Sequence, residues 1–190
     1  MVVKTYQSTS QRTARKAVDP EVASKAIADA DIHYFNGEKS EQEGDLNAAA
    51  KNYRKSFDLR YSVMGNNDPA VMGTAHKLAS LMSKQEKYNE AESYLNWCLK
   101  AKAQKHSPGA FEYAETQEAM GKLYLKQEKY DKAIDKFKQV VALNERYKGA
   151  NSKSTFKARK ALAKAYLKSG DRLKYEELMN NALVAFNKIK

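Results

Sequence analysis

The chain has 190 residues, 34 Lys and Arg against 23 Asp and Glu, and a formal net charge of +11. That length suits one domain, or one repeat array with a tail, and the charge favours acidic partners: an acidic peptide, nucleic acid or a membrane surface. A single cysteine excludes an internal disulfide, and no segment approaches the roughly 20 apolar residues of a membrane-spanning helix.

Residues 1–18 hold no acid and no sustained apolar period. They read as a disordered basic tail, with an organelle targeting segment as the alternative. Asp19-Pro20-Glu21 is a helix start: a capping side chain, then proline at the first helical position. Val22, Ala26, Ile27, Ala30 and Tyr34 carry a helical stripe to about Glu41, and Gly44 closes that helix. Leu46, Ala49, Ala50, Tyr53, Phe57 and Met64 stripe a second helix that ends before Gly65. Asp68-Pro69 opens a second pair, lined by Val71, Ala75, Leu78 and Met82, then by Tyr88, Ala91, Leu95, Cys98 and Leu99. Ser107-Pro108-Gly109 punctuates the chain again. A third pair is expected from about Ala110 to Tyr147 and a fourth from about Ser152 to Ile189. The fold class is therefore all-α with eight helices, since no strand-like run competes.

The pairs recur with a fixed spacing of 42 residues. Small residues form one column at Gly37, Ala79, Gly121 and Ala163, and another at Ala49, Ala91 and Ala133, broken by Tyr175. Large residues form columns at Tyr53, Leu95, Phe137 and Met179, and at Met82, Tyr124 and Tyr166. Turns fall at Gly44-Asp45, Glu86-Lys87, Glu128-Lys129 and Gly170-Asp171. A fixed period of this size means stacked units that bury their apolar faces against their neighbours. Alternating small and large residues let two helices approach and fill the space between them. Tyr175 marks the fourth unit as an end cap, or its last helix as shifted by one residue. Leu178, Leu183, Val184 and Phe186 then form an apolar set on the last helix that is either hidden or used for dimerisation.

Gly121, Tyr124, Ala133 and Phe137 resemble the signature of the tetratricopeptide repeat, and the other three units follow the same columns. That family usually repeats every 34 residues or so. The longer period here is similar to the kinesin-light-chain type, and Gly65-Asn66-Asn67-Asp68-Pro69 is close to its linker but lacks the histidine. The resemblance covers about residues 28–188, with repeats near 28–66, 70–106, 110–149 and 152–189. It implies a right-handed α-solenoid that works as a non-enzymatic protein-interaction adaptor and needs no cofactor.

The resemblance also implies a concave groove lined by the first helix of each unit. Its positions read Asp31, Tyr34, Glu38 and Glu41, then Gly73, His76, Ser80 and Ser83. They continue as Glu115, Glu118, Lys122 and Leu125, then Lys157, Lys160, Lys164 and Leu167. Tyr34, His76, Lys122, Lys157, Lys160 and Lys164 are the expected peptide-binding residues, and the groove lacks the Asn of a carboxylate clamp. Residues 28–50 hold six acids against Lys39, whereas 150–190 hold ten Lys and Arg against three acids. A peptide acidic near Lys122, Lys160 and Lys164 suits that gradient. Lys84, Lys126 and Lys168 adjoin the turns and read as solvent-facing. His33, His76 and His106 share no ligand spacing, so no metal site is expected. No nucleophile or phosphate-loop motif is present either, which argues against an enzyme. The rival readings are a basic nucleic-acid binder and a self-assembling scaffold, with homo-oligomers through the last helix. A cytoplasmic location is expected, with export after removal of a signal as the alternative.

Overall fold

The structure is a computed structural model and describes residues 19–104 and 111–187, with side chains to Val184. The expected tail at 1–18, His106, Ser107-Pro108-Gly109, the Phe186 side chain and Ile189 lie outside the described residues. Among the described residues there are eight α-helices and no strand, an all-α helical-repeat fold. They are α1 (Pro20–Gln42), α2 (Leu46–Met64), α3 (Pro69–Lys84), α4 (Tyr88–Ala103), α5 (Ala114–Lys126), α6 (Tyr130–Lys148), α7 (Lys153–Ser169) and α8 (Arg172–Asn187). The described residues fall into two compact units, divided after Glu90.

In the first unit, α1 packs on α2 and α2 on α3. Asp19 caps α1 by accepting from the Glu21 and Val22 amides, with Pro20 at the first turn. Asp45 and Asp68 cap α2 and α3 in the same manner. Tyr53, Phe57, Val71, Leu78, Leu81 and Met82 form the core. In the second unit α5 packs on α6, α6 on α7 and α7 on α8, around Leu123, Phe137, Val140, Leu162 and Ala165. A 3-10 turn at Phe111–Tyr113 precedes α5, and Tyr113 makes no capping hydrogen bond.

The turns inside the repeats share one geometry. Gly44, Glu86, Glu128 and Gly170 all have positive φ, at 84°, 60°, 58° and 90°. After the last three, the next amide donates back to the carbonyls of Met82, Tyr124 and Tyr166 at 2.9–3.0 Å. These bonds satisfy carbonyls that a helix end leaves orphaned. Two glutamates therefore hold a conformation that costs an L-residue about 1–2 kcal/mol.

Close approach explains the glycines of the small column. A Cβ on Gly37 would sit 2.8 Å from the Tyr53 ring, and one on Gly121 would sit 2.8 Å from the Phe137 ring. α8 begins 42 residues after α6, so its helix is not shifted. Tyr175 simply stands half-buried in the last described unit. Leu183 and Val184 are exposed, as is Leu173, while Leu178 is half-buried.

Candidate functional site: the first-helix faces and their charges

In the first unit the expected groove residues form a network of their own. Arg60 is buried on α2, although its type reads as a surface residue. Its Nη2 donates to Asp31 Oδ1 and its Nη1 to Thr74 Oγ1, both at 2.7 Å. The guanidinium also lies 4.7 Å from the centre of the Tyr34 ring. Tyr34 in turn meets Tyr53 edge-on, with ring centres 5.4 Å apart. The Tyr53 hydroxyl donates to Glu41 Oε2 at 3.0 Å. Lys84 also donates to Glu41, and Lys77 pairs with Glu38 at 3.3 Å and lies 3.8 Å from Glu41.

Asp31, Glu38 and Glu41 are thus already paired with this unit's own cations. The negative end of the charge gradient is largely neutralised. Lys84 ties α3 to α1 rather than only facing solvent. His76 is half-buried with an interaction of its own. His33 Nδ1 lies 3.3 Å from Asn52 Oδ1.

Burial alone would raise the Glu41 carboxyl, but hydrogen bonds from Lys84 and Tyr53 outweigh it and hold it below the ordinary 4.5. Burial, then the bond to Glu41, pushes the Tyr53 phenol up. A depressed folded value favours the folded state above the unfolded pKa, and that contribution is lost as pH falls through the folded value. The melting temperature should therefore fall below about pH 4.5 more steeply in the native chain than in Glu41→Gln. Circular-dichroism melts from pH 7 to 3 would check this. Parallel curves would remove Glu41 from the acid response.

The second unit is different. Lys122 on α5 pairs with Glu118. On α7, Lys153, Lys157, Lys160, Lys164 and Lys168 follow one another at spacings of four, three, four and four, which is one helical face. All five are exposed, and α7 contains no acid. Its other cation, Arg159, points to Glu145 Oε1 at 2.7 Å. Lys160 lies 5.7 Å from the Phe156 ring centre. Among the described residues none of the five lysines has a carboxylate partner. The row spans about 22 Å at 1.5 Å per residue, and half-exposed Leu167 lies beside it. Lys157, Lys160 and Lys164 thus share one surface, while Lys122 is on a different helix with its charge already paired.

Buried cations are what sequence reasoning missed. Lys102 stands 42 residues after Arg60 and is also buried. Its Nζ donates to the Glu112 carbonyl and, at 3.0 Å, to Thr116 Oγ1. Thr116 stands 42 residues after Thr74. A cation–threonine pair repeating at the array period was the available signal. The lone Cys98 is fully buried, and burial pushes its thiol up to about 12, so it remains a protonated core group. Among the described residues no three His, Cys, Asp or Glu side chains converge as metal ligands. No described helix is long and apolar enough to cross a membrane.

Within each unit, helices that pack in succession at a constant sequence period define a helical-repeat fold. Residues 112–174, a third of the chain, match the family model described as tetratricopeptide repeat. That third of the chain is similar to tetratricopeptide repeats. The fold of the chain is similar to the crystal structure of BtubC (BKLC) from P. vanneervenii, with a TM-score of 0.72 at 17% identity, over 84% of this chain and 64% of that one. The chain therefore spans less than two thirds of BtubC. It is also similar to the putative kinesin light chain with nearly identical TPR-like repeats from Podosopora anserina, with a TM-score of 0.72 at 17% identity, over 92% and 81% of the two chains. No curated protein matches this sequence.

Proposed function

We propose that the chain is a non-enzymatic adaptor that holds an acidic segment of a protein partner on the lysine face of α7. Tetratricopeptide repeats generally mediate protein–protein interactions, which sets the class of partner. The observation that carries the reading is the row of five exposed lysines on an acid-free helix. Surface lysines scattered among acids are ordinarily a solvated face. Five on one helical face without a local counter-charge repel one another, and an acidic segment relieves that repulsion. A preformed helix adds no ordering cost on the receptor side.

A fluorescent acidic peptide, followed by anisotropy at about 0.15 M salt, would test this against Lys157→Glu/Lys160→Glu/Lys164→Glu. We expect saturable binding by the native chain and none by the variant. Unchanged binding by the variant would remove α7 from the reading. A single-stranded oligonucleotide run in parallel addresses the nucleic-acid alternative, whose affinity falls steeply with salt through counterion release.

A further inference from the structure

The second helix of the fourth repeat departs from its three counterparts on its outer side. On α8, Leu173 is 82% exposed and Val184 is 60% exposed. At 42-residue steps before Leu173 stand Asp131, Asn89 and Asn47, and before Val184 stand Ala142, Lys100 and Asp58, all exposed. Thus α2, α4 and α6 keep these two places in water with polar or small side chains, whereas α8 fills both with large apolar ones. A single exposed apolar residue is ordinary. Two such replacements on one stripe of one helix are not. Residues 173, 177, 180 and 184 follow at spacings of four, three and four, the seam spacing of paired helices. The stripe spans about 16 Å at 1.5 Å per residue. Glu177 and Asn180, both exposed, lie between its apolar ends.

This stripe complements itself in one direction. Against an antiparallel copy, Leu173 meets Val184 of the second copy at both ends, and Glu177 meets Asn180 of the second copy twice in the middle. Each carboxylate then faces an amide that can donate to it. Against a parallel copy, Glu177 faces Glu177, and like charges opposed across a contact are unfavourable. Other occupants fit less well. The front of the array is polar: α1 exposes Asn36 and Lys39 where α3 buries Leu78 and Leu81, and α5 buries Met120 and Leu123. An anionic lipid surface would meet the exposed carboxylates of Glu176 and Glu177 beside Leu173.

We propose that α8 is the contact between two copies of this chain, paired two-fold and antiparallel along Leu173, Glu177, Asn180 and Val184. Such a contact uses the same patch on both copies and closes at the dimer. Two apolar layers make a small interface, so the dimer exchanges readily with monomer. The pairing is independent of what the lysine face of α7 binds.

Light scattering after size-exclusion chromatography of the full chain tests this, at about 0.15 M salt to screen the +11 charge of each copy. From micromolar to near-millimolar concentration the mass should rise from 21.5 kDa towards twice that value. Leu173→Asn/Val184→Asp gives α8 the residues that α2 carries at these places, Asn47 and Asp58. It changes only exposed side chains and should stay at 21.5 kDa throughout, with the helical circular dichroism of the native chain. Asn180→Lys puts an ammonium opposite Glu177 of the second copy and should tighten the dimer about threefold or more, because the contact occurs twice. Asn180→Glu opposes two carboxylates and should loosen it by a similar factor. A monomer at every concentration, a dimer that survives Leu173→Asn/Val184→Asp, assembly beyond the dimer, or the same response to Lys and Glu at position 180 would overturn the proposal.

Discussion

Replacing Gly121 with alanine should destabilise the protein by about 1–3 kcal/mol, the usual cost of forcing a methyl group into a filled core. The opposite sign is expected of an ordinary helix interior, where Gly→Ala gains about 0.5–1 kcal/mol. The clash decides. The new Cβ would stand 2.8 Å from Phe137 Cε1 and Cζ. Phe137 is 1% exposed, so its ring has no free space to move into. The columns themselves suggest the remedy. Glycine stands in the repeats with Tyr53 and Phe137, and alanine stands in those with Leu95 and Met179. Phe137→Leu should therefore absorb much of the damage from Gly121→Ala. Urea unfolding of the two single variants and the double variant would measure that coupling. Strict additivity would show that the ring is not the obstacle.

Thr116→Val should cost about 1.5–3 kcal/mol, the worth of a hydrogen bond to a charged group. The Lys102 ammonium is buried and draws on Thr116 Oγ1 and the Glu112 carbonyl. Valine keeps the shape of threonine but leaves the ammonium one acceptor short. Lys102→Met/Thr116→Val should recover most of the loss, because removing a buried charge together with its partner avoids the desolvation penalty. Glu112 is exposed, so water can replace the lysine at its carbonyl. A double variant as unstable as Thr116→Val alone would mean that Lys102 contributes through packing rather than charge. Thermal melts of the three variants would separate these outcomes.

These two sites differ in how far the sequence disclosed them. Gly121 and Phe137 could be read, because helix contact forces small and large residues into periodic columns. Capped starts at Asp19, Asp45 and Asp68 could be read for a similar reason, since the side chain that stabilises the start is local. The burial of Arg60 and Lys102 was harder to read, with only the recurrence of a cation and a threonine at the array period to mark it. Long cations on helices normally lie in water, and only the fold brings Thr74 and Thr116 within their reach. The charge gradient was legible as a sum but not as a surface. Lys77, Lys84 and Arg60 pair with the acids of α1, whereas the lysines of α7 have no such neighbours among the described residues.

The buried cations make two of the junctions between repeats matched locks. Arg60 on α2 fits Thr74 on α3, and Lys102 on α4 fits Thr116 on α5. The corresponding place at the end of α6 holds Asn144, which turns back to its own helix at the Val140 carbonyl, while Arg159 of α7 reaches Glu145. The repeats are consequently not interchangeable beads. A cut between repeats separates each key from its lock, whereas a cut at the four positive-φ turns carries every lock away whole. For recombination or grafting, the natural cassette runs from the middle of one repeat to the middle of the next.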